Sequence, residues 1–184
     1  MHFTTTLLTL ATLATLTPAT NIAVYTGRDC RGAARVYTNI GPRVCANAIQ
    51  GNTGSPSAGF TSVPGGSEVY GWQGSRTSAN CGALKSRAKP RTGTFCLTIA
   101  AGTGTFAGAS WSRVGAAKRA VEGAEDVEPC VETRLEPDLV RLEDGSEYEI
   151  AKMDGGELEA LSEFAVNGTR GEDLPEEYKL FQTN

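Results

Sequence analysis

From residue 20 to residue 114 the apolar residues arrive in short β-branched and aromatic runs bounded by Gly, Pro, Ser or Asn. The runs are Ala23-Val-Tyr-Thr26, Arg35-Val-Tyr-Thr38, Gly59-Phe-Thr-Ser-Val63, Ser67-Glu-Val-Tyr-Gly-Trp72, Phe95-Cys-Leu-Thr-Ile99 and Ala109-Ser-Trp-Ser-Arg-Val114. Helical periodicity is absent, so this part reads as all-β. Beyond residue 135 the pattern changes. Leu139 to Ile150 places Asp144-Gly145 between two alternating runs, the strongest short hairpin signal. Asp154 with Glu157 three residues later predicts a capped helix. Leu158, Leu161 and Phe164 share one face of it, and Asn167-Gly168 ends it. Leu174, Tyr178 and Phe181 are spaced to close over that face, whereas the acid-rich stretch Val121 to Thr133 reads as flexible.

The strand pattern repeats. Cys30 and Cys81, Cys45 and Cys96, Phe60 and Trp111, and Val63 and Val114 are each 51 residues apart. A period of this size means two copies of one supersecondary unit. Each copy opens on a tyrosine strand (Ala23-Val-Tyr25, Glu68-Val-Tyr70), places two cysteines fifteen apart and closes on an aromatic strand. An insert, Ser75 to Asn80, makes the second copy longer before its first cysteine. Two four-stranded units facing one another supply a single core for about ninety-five residues.

Met1 to Thr20 carries no Lys, Arg, Asp or Glu, and its apolar stretch Leu7 to Leu16 is too short to span a bilayer. With Thr-Pro-Ala-Thr20 behind it, residues 1–19 read as a secretory signal cleaved near Ala19. No later segment is long and apolar enough to cross a membrane, so the expected location is extracellular. In that oxidising compartment Cys30, Cys45, Cys81 and Cys96 imply two disulfides, and four cysteines allow three connectivities. If each unit closes its own hairpin, the pairs are Cys30–Cys45 and Cys81–Cys96. Cys130 is left over, as a free thiol, an intermolecular bridge or a residue lost in processing. No C-x-x-C occurs and the single histidine, His2, leaves with the signal, so neither zinc nor any other cofactor is expected.

The net charge of −4 conceals two opposed parts. Residues 20–114 hold ten bases against Asp29 and Glu68, a net +8, and residues 115–184 hold nineteen acids against seven bases, a net −12. The boundaries expected are therefore a basic disulfide-stabilised domain over 20–114, a linker over 115–134 and an acidic hairpin-helix module over 135–184. Lys118-Arg119 in that linker is a candidate processing site. A tethered acidic segment is expected to dock on and mask the basic face until it is cut. Asn167-Gly168-Thr169 is a candidate N-glycosylation sequon.

The units also resemble a known group. Val24-Tyr-Thr-Gly-Arg-Asp-Cys-Arg-Gly32, Cys45, Gly59 to Val63, Val69-Tyr70, Cys81-Gly82, Cys96 and Ser110 to Val114 are similar to the small secreted, cysteine-containing proteins of filamentous fungi. Those look like βγ-crystallin-type double Greek keys, similar in fold to microbial killer toxins and to a bacterial metalloprotease inhibitor. The resemblance implies an all-β fold of two Greek-key units packed as a sandwich. Calcium-binding members carry acidic or amide residues where this chain has Ser57-Ala58 and Gly108-Ala109, so calcium is not carried over.

Catalysis is not expected. Without histidine in the mature chain, Ser-His and Cys-His activation is lost. A paired-carboxylate hydrolase would need Asp29 and Glu68 in one cleft. Binding suits the basic domain better. Arg28, Arg31 and Arg35 flank one cysteine, and Lys85, Arg87, Lys89 and Arg91 follow the next pair's first member, with Tyr70 and Trp72 as aromatic partners. Arginine suits sulfate, phosphate and carboxylate, and rings suit sugars. The expected function is an effector-like or killer-toxin-like protein that binds an anionic polysaccharide or cell-surface component. The alternative is an inhibitor that presents the disulfide-framed loop Ala83 to Thr94 to a protease. Nucleic acid is not the expected physiological partner.

Overall fold

The computed structural model describes residues 19–49, 54–74, 81–113, 130–134 and 136–183. The first unit supplies β1 (Thr20–Tyr25), β2 (Ala34–Ile40), β3 (Val44–Asn47) and β4 (Ser57–Val63). The second supplies β5 (Ser67–Gln73), β6 (Ala83–Ala88), β7 (Gly93–Thr98) and β8 (Gly108–Arg113). The fold is mostly β, in two sheets. Within one sheet the order is β2-β1-β4-β7, and within the other it is β6-β5-β8-β3. The two orders are the same once the units are interchanged. In each sheet the second, first and fourth strands of one unit are joined by the third strand of the other.

The inner faces bury Ile22, Val24, Tyr37, Phe60, Val69, Phe106 and Trp111, all at 0 % exposure. Each fully buried aliphatic or phenyl side chain contributes roughly 1.5–3 kcal/mol. Polar atoms of the core aromatics cross between layers. Trp111 Nε1 donates to Ile40 O at 2.8 Å, and Tyr37 OH donates to Asn47 O at 2.8 Å. Burial pushes the Tyr37 phenol far above its usual range. Ser55 and Phe106, themselves 51 apart, exchange both backbone bonds, Ser55 N to Phe106 O at 2.9 Å and Phe106 N to Ser55 O at 2.8 Å. Equivalent residues meet only on a two-fold axis, so this bridge marks the axis relating the units.

Strand exchange overturns the expected disulfide pairing. The bridges are Cys30–Cys96 and Cys45–Cys81, not Cys30–Cys45 and Cys81–Cys96. Cys96 lies on β7, which belongs to the second unit but pairs with β4 of the first, at the level of Gly59. It therefore meets Cys30, in the β1–β2 turn of that same sheet. Cys45 travels with β3 into the other sheet and meets Cys81 ahead of β6. Each bridge staples two units rather than one.

The acidic part adds to this sandwich along one side. Glu132–Arg134, inside the segment expected as linker, forms β9 and pairs in parallel with β3, Cys45 opposite Thr133. Leu139–Arg141 (β10) and Glu147–Glu149 (β11) form the expected hairpin, with Gly145 at φ +91°. Its strand β10 continues the first sheet beyond β2. Helix α1 (Gly155–Val166) has both bonds of the capping box between Asp154 and Glu157, and Gly168 at φ +73° ends it. Thr169 N donates to Phe164 O and Gly168 N to Ala165 O, the paired closure that a left-handed glycine permits. Leu161 packs with Val140, Leu142, Tyr148, Leu174 and Tyr178 in a second core, with Leu158, Phe164 and Phe181 at its margin. Arg134 donates to Thr38 O at 2.9 Å and pairs with Asp138, whose carboxylate accepts from Thr38 N at 2.6 Å.

Candidate functional site

Opposite the added strands, β6 is the outermost strand of one sheet and β7 of the other, and the two pack together. Among the described residues no strand pairs with their outer edges. This side carries most of the candidate cations. Arg87 lies opposite Tyr70 on β5 and Lys89 follows it two residues on, so both project from the outer face. Lys89 Nζ reaches Glu68 Oε1 at 2.9 Å. Burial alone would raise the Glu68 carboxyl, but hydrogen bonds from Lys89 and Tyr70 and the Arg87 charge hold it below its usual value. Lys85 sits at a bulge between β5 and β6, and Arg91 is exposed in the turn to β7.

At the far end of β7, Arg28 and Arg31 are exposed in the β1–β2 turn. That turn is fixed from several directions. Cys30 N donates to Ser57 Oγ at 3.0 Å, Ser57 Oγ to Gly27 O at 2.7 Å and Gly27 N to Arg31 O at 3.1 Å, with the Cys30–Cys96 bridge behind them. These contacts hold Asp29 and Cys30 in the left-handed region, both at φ +55°. Arg28 and Arg31 thus stand beside the far end of β7 in one sheet, and Lys85, Arg87, Lys89 and Arg91 along β6 and its turn to β7 in the other.

Three expected binding residues do not join them. Arg35 points from β2 into the seam with α1 and donates to Ile49 O at 3.2 Å and Ser162 Oγ at 3.4 Å. Tyr70 and Trp72 are buried at 6 % and 3 % exposure and offer no ring face to a ligand. Tyr70 OH donates to Glu68 and contacts Ser112 Oγ at 3.0 Å, while Trp72 Nε1 donates to Ser110 Oγ at 2.8 Å. Burial, against the hydrogen bond from Ser112, pushes the Tyr70 phenol up to about 12. What covers these rings is the Cys45–Cys81 bridge, with Cys130 beside it.

Asp29 lies in the β1–β2 turn of one sheet and Glu68 on β5 of the other, and Glu68 is already paired with Lys89. Ala83 to Thr94 is strand β6, a turn and the start of β7, not a protruding loop. Asn167 is exposed at the end of α1. Lys118 and Arg119 lie outside the described residues. The acidic hairpin and helix lie on the β2/β3 side, away from β6, so of the expected basic residues they cover Arg35 and not the Lys85–Arg91 row. The reason is that β10 finds unpaired backbone at the β2 edge, a directional partner that long-range charge attraction does not supply.

Two features were not anticipated from the sequence. An open cleft of about 960 Å³ between the β9–β10 connection and the start of α1 is lined by Thr38, Arg134, Asp138, Glu149, Met153 and Leu158. In addition, the sulfurs of Cys45, Cys81 and Cys130 all lie within 4.8 Å of one another. With Cys45 and Cys81 joined, only Cys130 remains a thiol, and burial raises its pKa above the usual value.

A two-sheet, disulfide-linked sandwich built on a duplicated unit and bearing an added C-terminal segment is the class that these features define. No helix among the described residues is long and apolar enough to cross a membrane. The N-terminal domain model of the ARB_05566 family matches residues 21–138 and its C-terminal domain model matches residues 143–184. An uncharacterized secreted protein of the fungus Arthroderma benhamiae is 31 % identical over 172 residues, covering 92 % of this chain and 88 % of that protein. The chain belongs to this family of small fungal secreted proteins, and it is secreted. No solved structure matches it significantly.

Proposed function

We propose that this is a binding protein, not an enzyme, that engages an anionic cell-wall or cell-surface polymer through its β6–β7 side, with its two units forming a βγ-crystallin-type double Greek key. The strand order, with the third strand of each unit in the other's sheet, supports the fold reading. Charge placement carries the functional one. Lys85, Arg87, Lys89 and Arg91 lie along β6 and its turn to β7, and Arg28 and Arg31 beside the far end of β7, against Asp29 and a Glu68 paired with Lys89, while residues 130–183 bring fifteen acids and five bases to the β2/β3 side. Successive outward residues on a strand stand about 7 Å apart, within one Debye length at physiological salt, so Arg87 and Lys89 act on a polyanion together. The same arrangement points the acidic side away from such a surface and orients the approach. Effector-like or toxin-like action would follow from that adhesion.

Retention on immobilised heparin and polygalacturonate, with neutral dextran as blank, tests this reading. The triple variant Lys85→Ala, Arg87→Ala, Arg91→Ala should elute at clearly lower salt than the wild type, and Arg170→Ala at unchanged salt. Failure of the wild type to bind either polyanion at low salt, or an equal shift in both variants, overturns it.

A further inference from the structure

The three-sulfur cluster outside the basic side has its own chemistry. Cys130 stands immediately before β9, which is fixed to β3 by Val131 N to Arg43 O at 2.9 Å and by the parallel ladder. Cys81 stands immediately before β6, with Gly82 N held by Gln73 O at 3.1 Å. Cys45, on β3, lies between them at 0 % exposure. Three separate elements therefore deliver their sulfurs to one point, all within 4.8 Å. A thiol within 4.8 Å of both sulfurs of a disulfide is within reach of exchange with either.

We propose that Cys130 exchanges with the Cys45–Cys81 disulfide, giving the protein a second covalent register in which the C-terminal segment is bonded to the sandwich. In the step, the Cys130 thiolate forms a bond to Sγ of Cys45 or Cys81 as the Cys45–Cys81 bond breaks. The displaced sulfur leaves as thiolate and takes up the proton that Cys130 lost. One disulfide and one thiol exist before and after, so no oxidant or reductant is consumed. Attack on Cys45 bonds β3 to the start of β9 and releases Cys81, the anchor of the basic strand β6. Attack on Cys81 bonds the start of β6 to the start of β9 and releases Cys45. Either way the exchange trades the staple between units for one that holds the acidic segment.

The surroundings slow the exchange. Burial raises the Cys130 pKa and outweighs a hydrogen bond with Ser110 of β8 and the charge of Arg43 before β3, both of which favour the thiolate; Tyr70 of β5 is the other titratable group in the cluster. Few thiolates are present at neutral pH, and exchange is correspondingly slow.

The test uses the intact secreted chain. Samples held at neutral and mildly alkaline pH are quenched with acid and N-ethylmaleimide, digested without reduction and mapped by mass spectrometry. One maleimide per chain is expected throughout, on Cys130 at first and increasingly on Cys81 or Cys45 with time at the higher pH. Label confined to Cys130 at every time and pH overturns the proposal. Two variants add a readout that needs no kinetics. Cys81→Ser should be secreted with Cys45 joined to Cys130, and Cys45→Ser with Cys81 joined to Cys130. Folded secreted material of either variant with both remaining cysteines alkylated would equally overturn it, and if neither variant folds the wild-type map decides.

Discussion

Substitution of Gly71 by alanine should unfold this sandwich more readily than any surface change, because Phe106 occupies the space a methyl group needs. An added Cβ at Gly71 would lie 2.1 Å from Phe106 Cε1, 2.5 Å from Cδ1 and 2.6 Å from Cζ. To reach the near limit of ordinary contact, 3.4 Å, the ring must retreat by about 1.3 Å. It has nowhere to go. Phe106 is 0 % exposed, its backbone is bonded twice to Ser55, and the next residue is tied to Trp72 O at 2.7 Å. Overpacking of this kind costs about 1–3 kcal/mol, and the blocked retreat puts Gly71→Ala at or above the upper end. Phe106→Ala should cost about 3–5 kcal/mol through its cavity. In the Phe106→Ala background, however, the new methyl group meets open space, and Gly71→Ala should be neutral or stabilising by up to about 1 kcal/mol. The double-mutant cycle therefore predicts a favourable coupling of roughly 2–4 kcal/mol between the two changes. Urea unfolding followed by the fluorescence of buried Trp72 and Trp111 reads it, with disulfides intact and equal m-values. A Gly71→Ala cost within about 0.5 kcal/mol, or single costs that simply add, would refute the argument.

Two further outcomes follow from the same structure. Removal of the Cys30–Cys96 bridge by the double alanine variant, which opens a loop of sequence separation 66, should lower stability by about 4 kcal/mol; denaturant unfolding checks this, and a loss under about 1 kcal/mol would contradict a staple that joins the two units. Glu68, whose carboxyl is held below its usual 4.5, contributes stability that is full above that value and is lost as pH falls through its lower folded pKa. Glu68→Gln should thus lower the unfolding midpoint at neutral pH, with the gap to wild type closing on acidification. A gap that stays constant through the acid limb would show that Lys89 and Tyr70 do not stabilise the charged form.

Local chemistry was legible in the sequence and exchange between units was not. Asp144-Gly145 and the Asp154/Glu157 box act through neighbouring backbone, so the hairpin and helix stand where the pattern put them. Six of the eight strands of the sandwich, β1, β2, β4, β5, β7 and β8, likewise follow the runs, whereas β3 and β6 carry no such run and Ala83–Ala88 read as loop. The pairing of cysteines, by contrast, depends on which sheet β3 and β7 join, a tertiary choice that a fifteen-residue spacing does not record. Tyr70 and Trp72 misled for a related reason. Ser67–Gln73 is buried on both faces, because the Cys45–Cys81 bridge covers its outer one, and a bridge placed elsewhere would have left those rings in solvent. β9 is three residues long and takes its partner from across the chain, so nothing in Glu132-Thr133-Arg134 marks it as strand. Arg35 belonged by sequence to a cluster of cations, but alternation along β2 turned it inward toward α1.

The exchanged third strands give the molecule the logic of an oligomer. The rotation that interchanges the units also interchanges the two bridges, since each joins the turn cysteine of one unit to the strand cysteine of the other. A polypeptide holding one unit alone would have no mate for either of its cysteines within itself. Two such polypeptides would satisfy all four at once, with Ser55 or its counterpart meeting its own copy on the axis, which is a closed isologous dimer. Only the short connection from β4 to β5, Pro64 to Gly66, turns that pair into a single chain. Once fused, the halves are free to differ, and they do: the insert before Cys81, Phe106 in place of serine, and, among the described residues, strands added at the β2 and β3 edges but not at β6 and β7.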